Sequence, residues 1–261
     1  MTIHSHTQPH ITLVGAGPGD PELLTLKAVK AIASATVLLV DDLVSDAITA
    51  HATPTARIVY VGKRGGCTST PQAFIEKLMV QEALAGETVV RLKGGDPFIF
   101  GRGGEEVAHL QAQGIAVTVI NGITSGLAGV TSLGIPLTHR EHAHGVVFIT
   151  GHTKQDASDS VDWVALGQTA IQAKLTLVIY MGVSGAAHLQ NALLHSMPAH
   201  TPVAVIHQVS LPTQRHVVCE LQHLHDTIVR EQLASPSVIV IGDVFKGLLA
   251  LQASQPTKLS A

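Results

Sequence analysis

The fold is decided by the stretch Arg91-Leu-Lys-Gly-Gly-Asp-Pro-Phe-Ile-Phe-Gly-Arg-Gly-Gly-Glu105. A strand-like run, residues 88–93, ends inside it at two glycines, an aspartate and a proline. Gly94 and Gly95 allow the backbone to turn sharply and to approach a ligand closely. Asp96 places a carboxylate at the end of the strand, which is where open α/β sheets bind small molecules. The stretch therefore predicts a ligand-binding loop between a strand and a helix.

Strand-like and helix-like segments alternate on both sides of this loop. Besides residues 88–93, apolar runs predict strands at 11–14, 37–40, 58–61 and 116–120. Helices are predicted from about Pro21 with Asp20 as its cap, from Pro71 with Thr70 or Ser69 as its cap, over 105–113 and near 124–133. Such alternation is typical of a mainly parallel sheet that is covered on both faces.

The pattern changes after about residue 140. Further strands are predicted at 146–150, 175–180, 203–207 and 238–241, with helices around 184–196 and 221–233. The run 214–221 has strand character without an obvious helix before it, which indicates hairpins and a mixed sheet. We therefore expect an N-terminal α/β domain over residues 10–140, a C-terminal α/β domain over 141–250, and loose tails at 1–9 and 252–261.

Composition narrows the class of protein. The 261 residues are 46% hydrophobic and 13% charged, which is enough to bury one large core or two small ones. A net charge of −3 argues against a nucleic-acid binder that relies on a basic surface. The two cysteines are far apart, as expected in a reducing compartment, and no apolar run reaches membrane-spanning length. We expect a cytoplasmic protein that binds neither nucleic acid nor a membrane.

Charged side chains follow the predicted strands of the first half. They are Asp41, Lys63, Arg64, Asp96 and Arg102. Because parallel strands end on the same side of a sheet, we expect these side chains to converge on one edge. Their mixture of signs suits an anionic ligand whose reaction needs proton transfer.

Two other kinds of site stay open on these patterns. The turn at residues 15–19 resembles a dinucleotide fingerprint without its final glycine, and Pro18 removes an N–H that could cradle phosphate. Asp41 could then take the ribose-binding position, while a plain tight turn is the simpler interpretation. The histidines at 139, 142 and 144 could hold a metal ion, although their spacing matches no common ligand motif and solvent-exposed histidine explains them as well.

Several ordered strings give the chain a family resemblance that is more specific than any single glycine motif. They are residues 14–20, 23–27, 41–45, 61–64, 91–106, 122–125, 134–140, 180–182 and 235–236. On these strings the chain resembles the tetrapyrrole methylases. The resemblance implies two α/β domains with S-adenosylmethionine between them, usually in a homodimer. It also implies methylation of two ring carbons of uroporphyrinogen III to give precorrin-2, with a later corrin intermediate as the alternative substrate.

The resemblance also assigns roles to residues. Asp41 is expected to accept a proton and Lys63 to donate one. Cofactor contacts are expected at Pro18, Gly94, Gly95, Asp96, Ile99, Thr124, Ser125, Met181 and Val209. Because the substrate is a polycarboxylate, we expect Arg64, Arg102 and Arg140 to bind its carboxylates in fork geometry. No metal ion is expected in the reaction.

The chain departs from the family pattern at a few positions. They are Val40 for a Tyr, Thr68 for a His, Glu76 for an Asn, Asn121 for a Pro, Ser125 for an Ala and Val209 for a Gly. We expect these changes to affect substrate fit and cofactor affinity more than the fold, and a bulky Val209 to narrow the adenosine pocket.

Overall fold

The computed structural model describes residues 8–62, 71–152 and 161–246. The chain divides between Thr124 and Ser125 into two compact units, each built on a five-stranded sheet. The first sheet is parallel throughout and the second is mixed, so the predicted fold class is confirmed. The domain boundary predicted at 140/141 falls between the two sheets, and a division of the chain at that point stays a prediction.

The first unit contains strands β1 to β5 and helices α1 to α4. The strands are β1 His10–Gly15, β2 Val37–Val40, β3 Arg57–Tyr60, β4 Val89–Lys93 and β5 Ala116–Ile120. The helices are α1 Leu26–Ser34, α2 Asp46–Thr49, α3 Gln72–Leu84 and α4 Gly103–Ala112. The strand order is β3-β2-β4-β1-β5. Because every pairing is parallel, the carboxyl ends of all five strands lie at one edge, as the sequence predicts.

Local chemistry explains where the first helix begins. The sequence predicts a single helix from about Pro21, but Pro21–Leu23 forms only a 3₁₀ turn, with Asp20 accepting from the N–H of Glu22. Leu24 and Thr25 are extended, and the Thr25 hydroxyl accepts from the N–H of Ala28 at 3.1 Å, so the α-helix begins at Leu26. At α3, Pro71 is the N-cap residue, and the proposed caps Ser69 and Thr70 lie outside the described residues.

Both faces of the first sheet are buried by apolar side chains. Val14, Leu38 and Leu92 belong to one core cluster, and Leu13 and Leu39 to the other. Strand β4 interrupts the second of these faces with Arg91 and Lys93, which are only 2% and 3% exposed. Two cations inside a sheet of this kind require buried counter-charges, and the functional site supplies them.

The second unit contains strands β6 to β10 and helices α5 to α8. The strands are β6 Gly145–Thr150, β7 Leu175–Tyr180, β8 Pro202–His207, β9 Arg215–Glu220 and β10 Ser237–Ile241. The helices are α5 Ser125–Ser132, α6 Trp163–Gln172, α7 Ala186–Leu193 and α8 Leu224–Arg230. The strand order is β6-β7-β10-β8-β9, and only β6 and β7 pair in parallel.

Two predicted helices of the second unit are shorter than expected. Both begin as 3₁₀ turns, at Val183–Gly185 and Leu221–His223, before α7 and α8 continue them. Helix α6 was not predicted, although Asp162 caps it by accepting from the N–H of Ala165 at 2.9 Å. Across the described residues, every helix is too short or too polar to span a bilayer.

Candidate active site

The loops after β1, β4 and β5 lock together at the carboxyl edge of the first sheet. The N–H of Gly17 donates to the carbonyl of Gly95 at 3.1 Å, and the N–H of Gly95 donates back at 2.7 Å. A Cβ at Gly122 would lie 2.2 Å from the Gly95 carbonyl oxygen and 2.7 Å from the carbonyl carbon of Gly15. These distances require glycine, since the neighbouring atoms belong to backbone that cannot move aside.

Asp96 ties the loop after β4 to the loop after β5. One oxygen of its carboxylate accepts from the N–H of Phe98 at 2.8 Å. The other accepts from the N–H of Gly122 and from the side-chain amide of Asn121, both at 3.1 Å. The side chain is 7% exposed. Asp96 therefore orders the loop, and the second lone pair of Oδ1 leaves room for one more donor.

The other residues of the first unit that are predicted to contact a cofactor lie in or beside this interlocked loop. Pro18, Gly94, Gly95, Ile99 and Thr124 are all half-buried. A Cβ built on Gly95, whose φ is +67°, would meet only the Cα of Thr124, at 3.8 Å, among the described atoms. This open face beside a buried carboxylate fits a ligand that brings hydroxyl or ammonium donors, such as S-adenosylmethionine.

A cleft of about 310 Å³ lies beside these loops, above the carboxyl ends of β2, β3 and β4. Its lining residues are Asp41, Asp42, Val61, Gly62, Gln72, Ile75, Arg91, Lys93, Phe100, Gly101 and Arg102. Charged groups of both signs and apolar side chains therefore share one concave surface. Asp41 and Arg102, which sequence reasoning placed at this edge, line the same cleft.

The wall of the cleft is a buried set of ionic groups. Glu106, on the inner face of α4, is fully buried. Its Oε1 lies 3.3 Å from the Arg91 Nε, and its Oε2 lies 3.0 Å from the Lys93 Nζ. Arg91 also donates to the carbonyls of Leu39 and Leu92, and its Nη2 lies 3.6 Å from the Asp41 Oδ1. Two cations are thus matched by one buried and one partly exposed carboxylate.

Burial lowers the pKa of the Lys93 ammonium. The loss of hydration is the largest cause, and repulsion from the Arg91 guanidinium adds to it. Attraction to Glu106 and to Asp41 opposes the shift. Lys93 therefore gives up its proton more easily than an exposed lysine does.

Arg102 stands at the mouth of the cleft in a left-handed backbone conformation, with a φ of +56°, immediately before α4. Its guanidinium pairs with Glu105, which raises the pKa of Arg102, mainly through their hydrogen bonds. Its Nη1 also donates to the Gln72 amide oxygen at 3.5 Å, while the Gln72 amide nitrogen donates to Glu106 at 3.2 Å. Gln72 thus connects the exposed arginine to the buried ionic set.

The other three residues that are predicted to contact a cofactor lie in the second unit. Ser125 is the first residue of α5, and Met181 follows β7 with a φ of +55° and a 48% exposed side chain. Val209 is buried, and its Cγ2 would lie 3.2 Å from a Cβ at Gly129 of α5. The Val209 side chain therefore packs against the helix.

Arg140 lies in a tight turn of the second unit, where His139 and Ala143 exchange two backbone hydrogen bonds. Ligand atoms of His139, Glu141 and His142 all lie within 4.8 Å of one another, and all three residues are exposed. The His139 Nδ1 accepts from the N–H of Glu141 at 3.2 Å. A metal ion at that nitrogen would have to displace this hydrogen bond.

The departures from the family pattern have structural partners where they are described. Asn121 donates to Asp96, which a proline could not do. Glu76 lies 3.6 Å from the ring of His109 on α4, and Val40 is wholly buried in the core. Thr68 lies outside the described residues, as do the predicted site residues Lys63 and Arg64.

Sequence reasoning missed Arg91, Lys93 and Glu106. The sequence predicts the first two as strand residues and the third as part of a helix. The available signal was their spacing, because residues 91 and 93 point to the same face of a strand whose neighbours are apolar.

The parallel sheet, the glycine-lined loops and the mixed-charge cleft define an α/β protein that binds an anionic small molecule at the carboxyl ends of its strands. Residues 10–225 match the family described as Tetrapyrrole (Corrin/Porphyrin) Methylases. The chain belongs to this family, and the resemblance read from its sequence is confirmed.

Individual relatives agree with this assignment. A uroporphyrinogen-III C-methyltransferase from Pseudomonas aeruginosa is 50% identical over 252 residues, which cover 96% of this chain and 98% of that protein. A Thermus thermophilus uroporphyrin-III C-methyl transferase, solved with S-adenyl homocysteine, superposes with a TM-score of 0.77 at 37% identity and covers 91% of this chain and 94% of that one. A cobalt precorrin-4 methyltransferase at 23% identity, with a TM-score of 0.80 over 90% of this chain and 95% of that one, shows the shared fold.

Proposed function

We propose that this protein is a methyltransferase that uses S-adenosylmethionine to methylate two ring carbons of uroporphyrinogen III, giving precorrin-2. The relative from P. aeruginosa carries this proposal, since it is half identical over nearly the whole of both chains. The T. thermophilus relative was solved with S-adenyl homocysteine, the demethylated form of the same methyl donor. These relatives favour methyl transfer over a nicotinamide-dependent oxidation.

The cleft of the first unit supports the same activity. S-adenosylmethionine supplies an activated methyl group, so the chain needs no nucleophile of its own. The protein must orient the acceptor carbon and exclude water, which are the contributions of a preorganised cleft. We assign the cofactor to Pro18, Gly94, Gly95, Asp96, Ile99 and Thr124 in the first unit and to Ser125, Met181 and Val209 in the second.

Asp41 is the residue that we assign to proton transfer. Its carboxylate is about one-third exposed, lines the cleft and lies beside a cation. Attack of a ring carbon on the activated methyl group leaves the macrocycle positively charged, and loss of a proton from the alkylated macrocycle restores its neutrality. A carboxylate at the cleft wall can accept that proton. Lys63 keeps its proposed role as proton donor, although it lies outside the described residues.

The arginines are assigned to the substrate. Arg102 presents a guanidinium at the cleft, and Arg140 presents one on the second unit. Guanidinium groups bind carboxylates through two parallel hydrogen bonds, and uroporphyrinogen III carries several carboxylates. Arg64 has the same proposed role and lies outside the described residues.

An anaerobic assay tests the proposal. The chain is incubated with uroporphyrinogen III and S-adenosylmethionine, and the macrocycle is analysed by mass spectrometry. We expect a gain of two methyl groups. Calorimetry with S-adenosylhomocysteine and with NAD is the matched binding measurement, and only the first should bind. Cofactor binding without methylation would instead favour a later corrin intermediate as the substrate.

Asp41→Asn provides the test of the proton-transfer role. The change keeps the size of the side chain and removes its basicity, so we expect turnover to fall by at least about 100-fold, the lower end of what general bases contribute. Affinity for S-adenosylhomocysteine should stay near that of the wild type. Turnover within a factor of two of the wild type would remove Asp41 from the mechanism.

Three further assignments are part of the proposal. They are a homodimer, a cytoplasmic location and a domain boundary near residue 140. Light scattering on the purified chain tests the first, cell fractionation the second, and limited proteolysis with mass spectrometry of the fragments the third.

A further inference from the structure

The Arg91 guanidinium is held on the side that faces away from Asp41. Its Nε points to Glu106 at 3.3 Å, and its Nη1 donates to two backbone carbonyls, those of Leu92 at 3.1 Å and Leu39 at 3.4 Å. The side chain is 2% exposed, so water cannot replace these acceptors. The position of the guanidinium is therefore set by Glu106 and by the backbone of β2 and β4.

Asp41 lies next to the remaining nitrogen of this guanidinium, Nη2. The Arg91 Nη2 lies 3.6 Å from the Asp41 Oδ1, which is close enough for charge attraction but too long for a hydrogen bond. Arginine and carboxylate groups that are free to move close into a pair with two parallel hydrogen bonds. Such closure would occupy the carboxylate with its neighbour and take it away from the cleft.

We propose that Glu106 is a positioning residue, which tethers Arg91 so that the Asp41 carboxylate is not drawn into a two-bond pair with Arg91 and stays available to the group bound in the cleft. The inference rests on the proposed function, in which Asp41 accepts a proton. Glu106 contributes through Arg91 and is itself wholly buried, so it has no contact with the contents of the cleft.

Lys93 is the second cation that faces Glu106, beside Arg91. Its ammonium occupies the Oε2 of Glu106 at 3.0 Å, while Arg91 uses Oε1. Gln72 adds a donor to Oε1 at 3.2 Å. Glu106 is thus hydrogen-bonded through Oε1 to Arg91 and Gln72, while Oε2 faces the Lys93 ammonium as an ion pair.

The central variant is Glu106→Gln, which keeps the size of the side chain and removes its charge. We expect kcat for methyl transfer to fall by about 10- to 100-fold, which is at or below the lower end of general-base contributions because Asp41 itself is retained, with the KM values of both substrates within a factor of two. Glu82→Gln is the matched control, because Glu82 on α3 also pairs with an arginine, Arg57, but at the amino end of β3. It should keep wild-type kcat.

A charge-balanced double variant separates positioning from stability. Glu106→Gln alone leaves two buried cations facing one carboxylate and lowers the thermal midpoint. Glu106→Gln with Lys93→Met removes the surplus cation and should recover most of that midpoint while kcat stays low, because the Arg91 Nε still lacks its charged partner. Lys93→Met alone should lose less kcat than Glu106→Gln. Recovery of kcat together with stability, or an equal loss in Lys93→Met alone, would overturn the proposal.

A crystal structure of the double variant gives a readout that is independent of activity. We expect the distance between Nη2 of Arg91 and the Asp41 carboxylate to shorten from 3.6 Å to hydrogen-bond length. An unchanged distance would refute the tether even if kcat falls. Failure of the proposed function has a different signature, since the wild-type chain would then transfer no methyl group to uroporphyrinogen III while the shortened distance could still be observed.

Discussion

Replacement of Asp96 tests how the loop after β4, which we propose binds the cofactor, is held. In Asp96→Ala, the N–H groups of Phe98 and Gly122 both lose their acceptor. The exposed amide of Asn121 can turn to water and costs little. A buried donor left without a partner costs about 1–3 kcal/mol, and the cost is near the lower end here because the site is partly accessible. With two such donors, the free energy of unfolding should fall by about 2–4 kcal/mol.

Asp96→Asn refines this prediction. Its amide has one oxygen, so it can accept from one of the two backbone N–H groups while its own NH₂ faces the other. The loss should be about 1–3 kcal/mol, between the wild type and the alanine variant. Asp162→Ala is the matched control, because Asp162 caps α6 with a single hydrogen bond on the second unit, and it should cost about 1 kcal/mol.

Urea unfolding measures the free energies, and calorimetry with S-adenosylhomocysteine measures cofactor affinity. Asp96→Ala should weaken binding of S-adenosylhomocysteine by at least about 10-fold, because the ligand must then order the loop itself. A cost of about 1.4 kcal/mol in binding free energy corresponds to a factor of 10 in affinity. The Asp162 control should bind normally. A stability of Asp96→Ala within about 0.5 kcal/mol of the wild type would show that the loop is held by something else, since that is the range of ordinary surface substitutions.

Three more predictions concern the packing and charges of the two units. Gly122→Ala should lower the free energy of unfolding, measured in urea, by about 1–3 kcal/mol, because the new Cβ would overlap backbone atoms. Gly104 lies in helix α4, and no described atom lies within 4 Å of a Cβ built there, so Gly104→Ala should raise the free energy of unfolding by about 0.5–1 kcal/mol. Equal effects of the two changes would contradict the overlap. Tyr180→Phe removes the acceptor of the Gly126 N–H at 2.9 Å and should cost about 1–2 kcal/mol in the same assay, and a neutral result would show that this bond contributes nothing. The folded pKa of Lys93 lies below its ordinary 10.5, so the unfolded chain binds more protons than the folded chain between the folded pKa and 10.5. The unfolding free energy of the wild type should therefore rise with pH relative to that of Lys93→Met over this interval. A difference that stays constant from neutral pH up to 10.5 would exclude the shift.

Much of the first unit follows from apolar runs and their boundaries. Strands β2 and β4 lie within one residue of their predicted limits, since four or five consecutive buried residues between turn signals allow little else. Asp41 and Arg102 line one cleft for the reason given from sequence, that parallel strands end together. The start of α1 was less predictable, because both Pro21 and Thr25 are suitable first residues for a helix. The Thr25 hydroxyl accepts from the N–H of Ala28, and this hydrogen bond places the start after Thr25.

The hydrogen-bond partners of the Asp96 carboxylate could not be predicted from the sequence. The residue type and its place after β4 indicated a ligand contact, and they fit equally well a carboxylate that holds its own loop. Its partner Asn121 comes 25 residues later and meets it only because β5 and β4 both flank β1. Strand order is a property of the whole sheet, so no local pattern predicts this hydrogen bond.

The ionic set of the cleft was within reach of sequence reasoning. Arg91 and Lys93 alternate with the apolar Val90 and Leu92, so both cations must lie on one face of a strand that is covered on both sides. Buried cations need a carboxylate, and the next helix offers one at the right phase, because Gly103, Glu106 and Leu110 repeat at three and four residues and form the inner face of α4. A pair of cations two residues apart in a central parallel strand thus predicts an acidic residue on the inner face of the helix that follows. The same arrangement leaves one nitrogen of Arg91 within reach of a carboxylate that follows the neighbouring strand, and in this chain that carboxylate is Asp41.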